Sequence, residues 1–202
     1  YWCGVLGELY GGAVETRIAN DLEDFSNWVV NPDHEIRTIQ ESSFQAQRLK
    51  TLRSRLSAAY KGLNTLALRE GAQDFFWKES VQNLDVEEVA LDIHHIFPKK
   101  WCEENNKPSK IYDSILNKTP ISYKANRMIG GKAPSKYLND LQNHKTVLMD
   151  DISMNQILAS HFIEPELLRT DNFEAFIDAR QQQLLKIISR VMGKTLTEDN
   201  IV

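Results

Sequence analysis

Apolar residues recur at helical spacing at both ends of this chain but not in its middle, and that contrast restricts the folds open to it. Toward the C-terminus, Phe173, Phe176, Ile177, Leu184, Leu185, Ile187, Ile188, Val191 and Met192 predict one long helix over residues 172–192. Gly193 should end it, and Thr170 or Asp171 should cap it. Near the N-terminus, residues 15–30 place Ile18, Leu22, Phe25, Trp28 and Val29 at helical spacing before Asn31-Pro32 stops the run. Ser54 is the expected cap of a further helix carrying Leu56, Ala59, Tyr60, Leu63 and Leu66 and ending near Gly71. Phe75-Phe76-Trp77 reads as core or packing surface rather than a platform for stacking bases.

The middle is cut into short pieces. Residues 86–93 are apolar enough for a helix end or a short strand, and Pro98 with residues 103–110 should form a surface loop. Residues 117–122 suit a second short strand or turn. Residues 123–129 suit one or two helical turns stopped by Gly130-Gly131, and Ala133-Pro134-Ser135 should open another helix through Tyr137 and Leu141. The expected class is mainly α (α+β). An N-terminal helical part (1–90) and C-terminal helices (146–202) would surround a small strand–loop–strand–helix unit at 91–145.

With 202 residues, 42% hydrophobic and 26% charged, the chain can bury a core, and no apolar run approaches the ~20 residues that span a bilayer, so no membrane contact is expected. Cys3 and Cys102 form no CxxC pair or disulfide framework, which suits a cytoplasmic protein. The start on Tyr1-Trp2-Cys3-Gly4, already inside an apolar helical pattern, predicts a preceding region. Net charge is −4, yet Lys99 to Lys145 holds ten lysines and arginines against four acids, so a local +6 stands against −10 elsewhere. That is the pattern of a phosphate-contacting surface on an acidic body, although a solvated lysine-rich loop has the same charge.

The chemistry sits in Leu91-Asp92-Ile93-His94-His95-Ile96-Phe97-Pro98-Lys99, with Asn117 and Asn126 downstream. Hydrolysis of a phosphodiester needs a base for water on one side of phosphorus and stabilisation of the leaving oxygen on the other. Successive strand residues point to opposite faces, so adjacent histidines at a strand end can serve those two sides. Imidazole, with an ordinary pKa of ~6.5, suits the base. Asn126 on a following helix offers a neutral oxygen to a metal ion, and Asn117 is better placed to hold the loop that carries the base.

This arrangement resembles the HNH (ββα-metal) endonuclease motif. It is similar to the HNH domain of the CRISPR RNA-guided DNA nuclease, where Asp-His-Ile-x-Pro precedes Asn and then Lys-Asn-Arg. Here the corresponding residues are His94-His95-Ile96-Phe97-Pro98, Asn117, and Lys124-Ala125-Asn126-Arg127, with the two asparagines nine residues apart. The resemblance implies His95 as general base, His94 and Asn126 as metal ligands, and Asn117 as structural asparagine. The cofactor would be a divalent ion, Mg²⁺ or Mn²⁺, with Co²⁺ or Ni²⁺ as alternatives. Tyr1-Trp2-Cys3-Gly4 and Gly131-Lys132-Ala133-Pro134-Ser135-Lys136-Tyr137-Leu138 extend the likeness to the C-terminal nuclease domains of GmrSD-type modification-dependent restriction enzymes and related bacterial anti-phage proteins. Those proteins carry an N-terminal ParB-like nucleotide-handling domain, which would be the partner of this one.

The implied function is metal-dependent cleavage of foreign or phage DNA. Lys99, Lys100, Lys124, Arg127, Lys132 and Lys136 are candidate DNA contacts, and homo-oligomerisation stays open. Where such sites have a carboxylate this chain has His94, with Asp92 two residues earlier. Two alternatives stand beside this reading. One is a structural zinc held by His94, His95 and Cys102 with His144 or His161 as a fourth ligand; the other is a non-catalytic interaction module with a degenerate site. His34, His144 and His161 otherwise read as surface or packing residues.

Overall fold

Three of the four prolines of the middle segment, Pro98, Pro108 and Pro134, open helical turns, which is why it contains more helix than its polar composition suggests. A computed structural model describes residues 1–84 and 91–196, with the side chains of Leu91 and Asp92 outside that description. In chain order the described elements are α1 (Trp2–Leu6), α2 (Val14–Val30), α3 (Arg37–Glu41), α4 (Arg48–Thr51), α5 (Ala58–Arg69), β1 (Leu91–His95), α6 (Lys99–Glu104), α7 (Ser109–Tyr112), β2 (Lys118–Ser122), α8 (Tyr123–Ile129), α9 (Pro134–Gln142), α10 (Asp151–Ser160), α11 (Pro165–Arg169) and α12 (Phe173–Met192). The chain is mainly helical, and β1 and β2 pair antiparallel in a two-stranded sheet. Residues 86–90, part of the expected lead-in to the histidines, lie outside the described residues.

Several local expectations need correction. The expected 103–110 loop is shortened to 105–108, with 103–104 ending α6 and 109–110 opening α7, because Pro98 and Pro108 sit at the N-caps of those helices, where the missing N–H and fixed φ carry no penalty. The cap of α5 is Ser57, whose Oγ accepts from the Tyr60 amide at 3.1 Å; Leu56 falls outside the helix and is 84% exposed. Asn172 rather than Thr170 or Asp171 caps α12, with its side chain accepting from the Ala175 amide at 3.3 Å. Phe75 and Phe76 are buried, whereas Trp77 is half exposed against the Phe76 ring.

One continuous apolar core draws residues from all three sequence segments, from Leu6, Leu49 and Tyr60 through Phe97, Leu116 and Tyr137 to Phe176, Ile188 and Met192. Phe97, two residues past His95, is its hinge point. Its ring lies 5.0 Å from Trp101, 5.2 Å from Phe173 and 5.0 Å from Phe176. Burial of such a ring contributes roughly 2–3 kcal/mol, so the turn after β1 is locked onto α12. The Tyr137 hydroxyl also donates to the Ile96 carbonyl at 3.0 Å.

The helix after the hairpin is anchored from the N-terminal region. Ser122 caps α8 by accepting from the Ala125 amide at 3.1 Å, and the buried Asp74 carboxylate accepts from both the amide and the hydroxyl of Ser122. Asp74 also accepts from the amides of Phe76 and Trp77, so four donors satisfy its charge. At the other end of α8, Gly130 takes φ +56, a left-handed conformation favourable to glycine. Gly131 is crossed so closely by the Lys100 stem that a Cβ there would lie 2.8 Å from Cδ.

Candidate functional site

His95 ends β1, opposite Lys118 in the register, so the two side chains share a face of the hairpin. The last residue of β1 thus meets the first of β2, and Asp113, just past α7, closes the third side. Asp113 Oδ1 lies 2.9 Å from His95 Nε2 and 3.9 Å from Lys118 Nζ. A carboxylate can only accept, so Nε2 carries the proton and a neutral His95 presents its lone pair on Nδ1. Burial lowers the His95 pKa, with Asp113 opposing that fall and the charges of Lys118 and Lys99 adding to it. The imidazole is therefore neutral and basic at neutral pH.

Asn117 is wholly buried and spends its carboxamide on the segment behind His95. Its Oδ1 accepts from the Phe97 amide at 2.8 Å, and its Nδ2 donates to the carbonyls of Phe97 at 2.9 Å and Tyr112 at 3.0 Å. One side chain thus ties the turn after His95 to the end of α7, which leads into Asp113. Arg180 on α12 completes this support from below, donating to the carbonyls on either side of Asn117: Leu116 and Lys118, both at 2.9 Å. Burial lowers the guanidinium pKa to about 9, the neighbouring Tyr60 opposing it.

His94 points to the other face, opposite Thr119. It is half-buried, with Nε2 enclosed. Thr119 donates its hydroxyl to His161 Nδ1 at 2.6 Å, while His161 Nε2 donates to the Gln73 carbonyl at 2.7 Å. Complete burial lowers the His161 pKa to about 4, so it is a neutral packing group against Phe75. Asn126 is half-buried in α8, which packs on both strands. An imidazole and a carboxamide are neutral donors suited to a borderline divalent ion that keeps water and phosphate among its ligands. Among the described residues no three His, Cys, Asp or Glu side chains gather as a metal site. In the zinc alternative, Cys102 is buried with its thiol on the Phe97 carbonyl, its pKa pushed up by burial to about 12.

The candidate DNA contacts fall into different surroundings. Lys99 and Lys100 are exposed on α6 beside Glu103 and Glu104. Lys124 lies over the Phe76 ring and Arg127 over the Tyr123 ring, both on α8. Lys132 is paired with Asp140 at 2.6 Å, and Lys136 is exposed on α9. The spacing argument missed Asp113, Lys118, Arg53 and Arg55. Arg55 donates to the Ile93 carbonyl at 2.9 Å, and both arginines lower the Lys118 pKa, although burial lowers it more. Cationic groups from the N-terminal segment therefore reach the His95 face, which a count confined to Lys99–Lys145 could not register. The clue to Asp113 was an acid four residues before Asn117 in an otherwise basic stretch.

No family model matches the chain, and no solved structure matches it. It is 29% identical over 216 residues to "Uncharacterized protein MJ0686" of Methanocaldococcus jannaschii, an alignment that takes in 96% of this chain. The chain spans 36% of that relative's length, so it is similar to a portion of a longer archaeal polypeptide.

Proposed function

We propose that the chain carries an HNH-type, metal-dependent DNA endonuclease site with His95 as general base, serving restriction of foreign or phage DNA within a longer protein. The observation that carries this reading is the His95–Asp113 pair, held on a strand end whose following turn is gripped by Asn117. His95 Nδ1 takes a proton from water, and the resulting hydroxide attacks phosphorus. Asp113 keeps the imidazole in the Nε2–H tautomer and stabilises the imidazolium as it forms. Lys118, Lys99, Arg53 and Arg55 supply positive charge for the phosphate backbone on this face. His94 and Asn126 are the residues that would hold a divalent ion. Such an ion would stabilise charge on the scissile phosphate and leaving 3′ oxygen, giving 5′-phosphate and 3′-hydroxyl ends. A ParB-like domain and a DNA modification as the recognised feature belong to the same proposal.

Supercoiled plasmid incubated with the protein and a panel of divalent ions tests this reading directly. Conversion to nicked or linear plasmid is expected, with Mn²⁺, Co²⁺ or Ni²⁺ at least as effective as Mg²⁺, since imidazole in place of a carboxylate weakens the hold on hard Mg²⁺. DNA binding without turnover under every ion would make the protein an interaction module instead.

Asp113→Asn should lower cleavage by about 10- to 100-fold, the scale of lost support to a ligand or base. Asp113 raises the His95 pKa, so the acid limb of the pH–rate profile should also move to lower pH. An unmoved profile would show that the carboxylate does not act through His95.

A further inference from the structure

Helix α2 is attached by its polar side. Of its seventeen residues only Asp24 is buried, accepting from the Arg37 amide at 2.8 Å and the Arg37 Nε at 3.0 Å; Asp21 binds Thr38 and Tyr10, and Arg17 pairs with Glu41. Its apolar side faces outward: Ile18 is 47% exposed, Leu22 65%, Phe25 59% and Val29 61%. Val14 and Trp28 flank this stripe and are also exposed. Together these side chains present on the order of 700 Å² of apolar surface, more than the largest patch of a typical monomer.

The spacing within the stripe indicates what covers it. Positions 18, 22, 25 and 29 step by four, three and four, the seam of a helix packed against another helix rather than the broader face that sits on a mixed core. The seam is also symmetric about its midpoint. In an antiparallel pair related by a twofold axis, Ile18 meets Val29, and Leu22 meets Phe25, in every layer on both sides. The residues bordering it on one side are Ala19 and Ser26, so two copies bring no like charges together there. Two such faces would remove on the order of 1,400 Å² from water, within the range of stable interfaces. We infer that α2 is a self-association surface, and that the chain forms an isologous dimer through an antiparallel α2–α2 pair.

Sedimentation equilibrium of the 202-residue chain should show a dimer at micromolar concentration. L22E/F25E should weaken association by at least 100-fold with an unchanged far-ultraviolet circular dichroism spectrum, since both side chains are exposed in the monomer. Orientation is read by mixing singly substituted chains. L22K and F25E should each impair the homodimer, and their mixture should recover a heterodimer, because only the antiparallel register sets position 22 against position 25. A wild type that stays monomeric up to about 100 µM, a range in which an interface of this size associates, would overturn the proposal. So would a dimer indifferent to L22E/F25E, or a mixture that recovers nothing.

Discussion

His95→Ala should reduce metal-dependent plasmid cleavage by about 10²–10⁴-fold, the range that a positioned general base contributes, while leaving the fold intact. The imidazole stands at the rim of the core, half-buried, and Asp113, to which it is hydrogen-bonded, is also partly exposed, so its removal opens no interior cavity. DNA affinity should change little, because Lys99, Lys118, Arg53 and Arg55 remain. A loss of rate at unchanged affinity, with an unchanged melting temperature, is the signature of a group acting in the transition state. Equal cleavage by the variant and the wild type would remove His95 from the chemistry.

The parts of this arrangement that could be read from sequence are those fixed by local spacing. His94, His95 and Pro98 are contiguous, and a strand followed by a proline turn needs no tertiary information. The end of α8 was legible because Gly130-Gly131 stops the helical turns before it and Gly130 takes positive φ, whereas the Ser122 cap at its start emerges only from the structure. Asp113 was not legible because its partner lies 18 residues away and is reached only when α7 folds back on the strand end. Arg180 was hidden differently: an arginine among the apolar positions of α12 reads as the solvent side of an amphipathic helix, yet it is buried. For α2, periodicity identified an apolar face but carries no information about whether that face turns inward. The direction was set by Asp21 and Asp24, whose partners Thr38, Tyr10 and Arg37 lie elsewhere in the chain. Spacing defines faces and turns, and long-range polar partners decide which way they point.

Arg180→Ala should cost about 3 kcal/mol or more of unfolding free energy, a large part of the 5–15 kcal/mol that holds a domain together. The substitution leaves the carbonyls of Leu116 and Lys118 without their donors in a dry interior, at roughly 1–3 kcal/mol each, and empties the space of a long side chain. The cost of burying the guanidinium, visible in its lowered pKa, is relieved at the same time and offsets part of this loss. Arg180→Met separates the contributions: it fills most of the volume and removes the charge, so it should be much less destabilising, as isosteric replacements of buried charges often are. Both variants nonetheless free the backbone around Asn117, so catalysis should fall in each, and in Arg180→Met out of proportion to stability. Urea unfolding beside plasmid cleavage measures the two effects independently. If Arg180→Met retained full activity, the carbonyl clamp would be a packing device alone, and the grip of Asn117 on the turn after His95 would suffice without it.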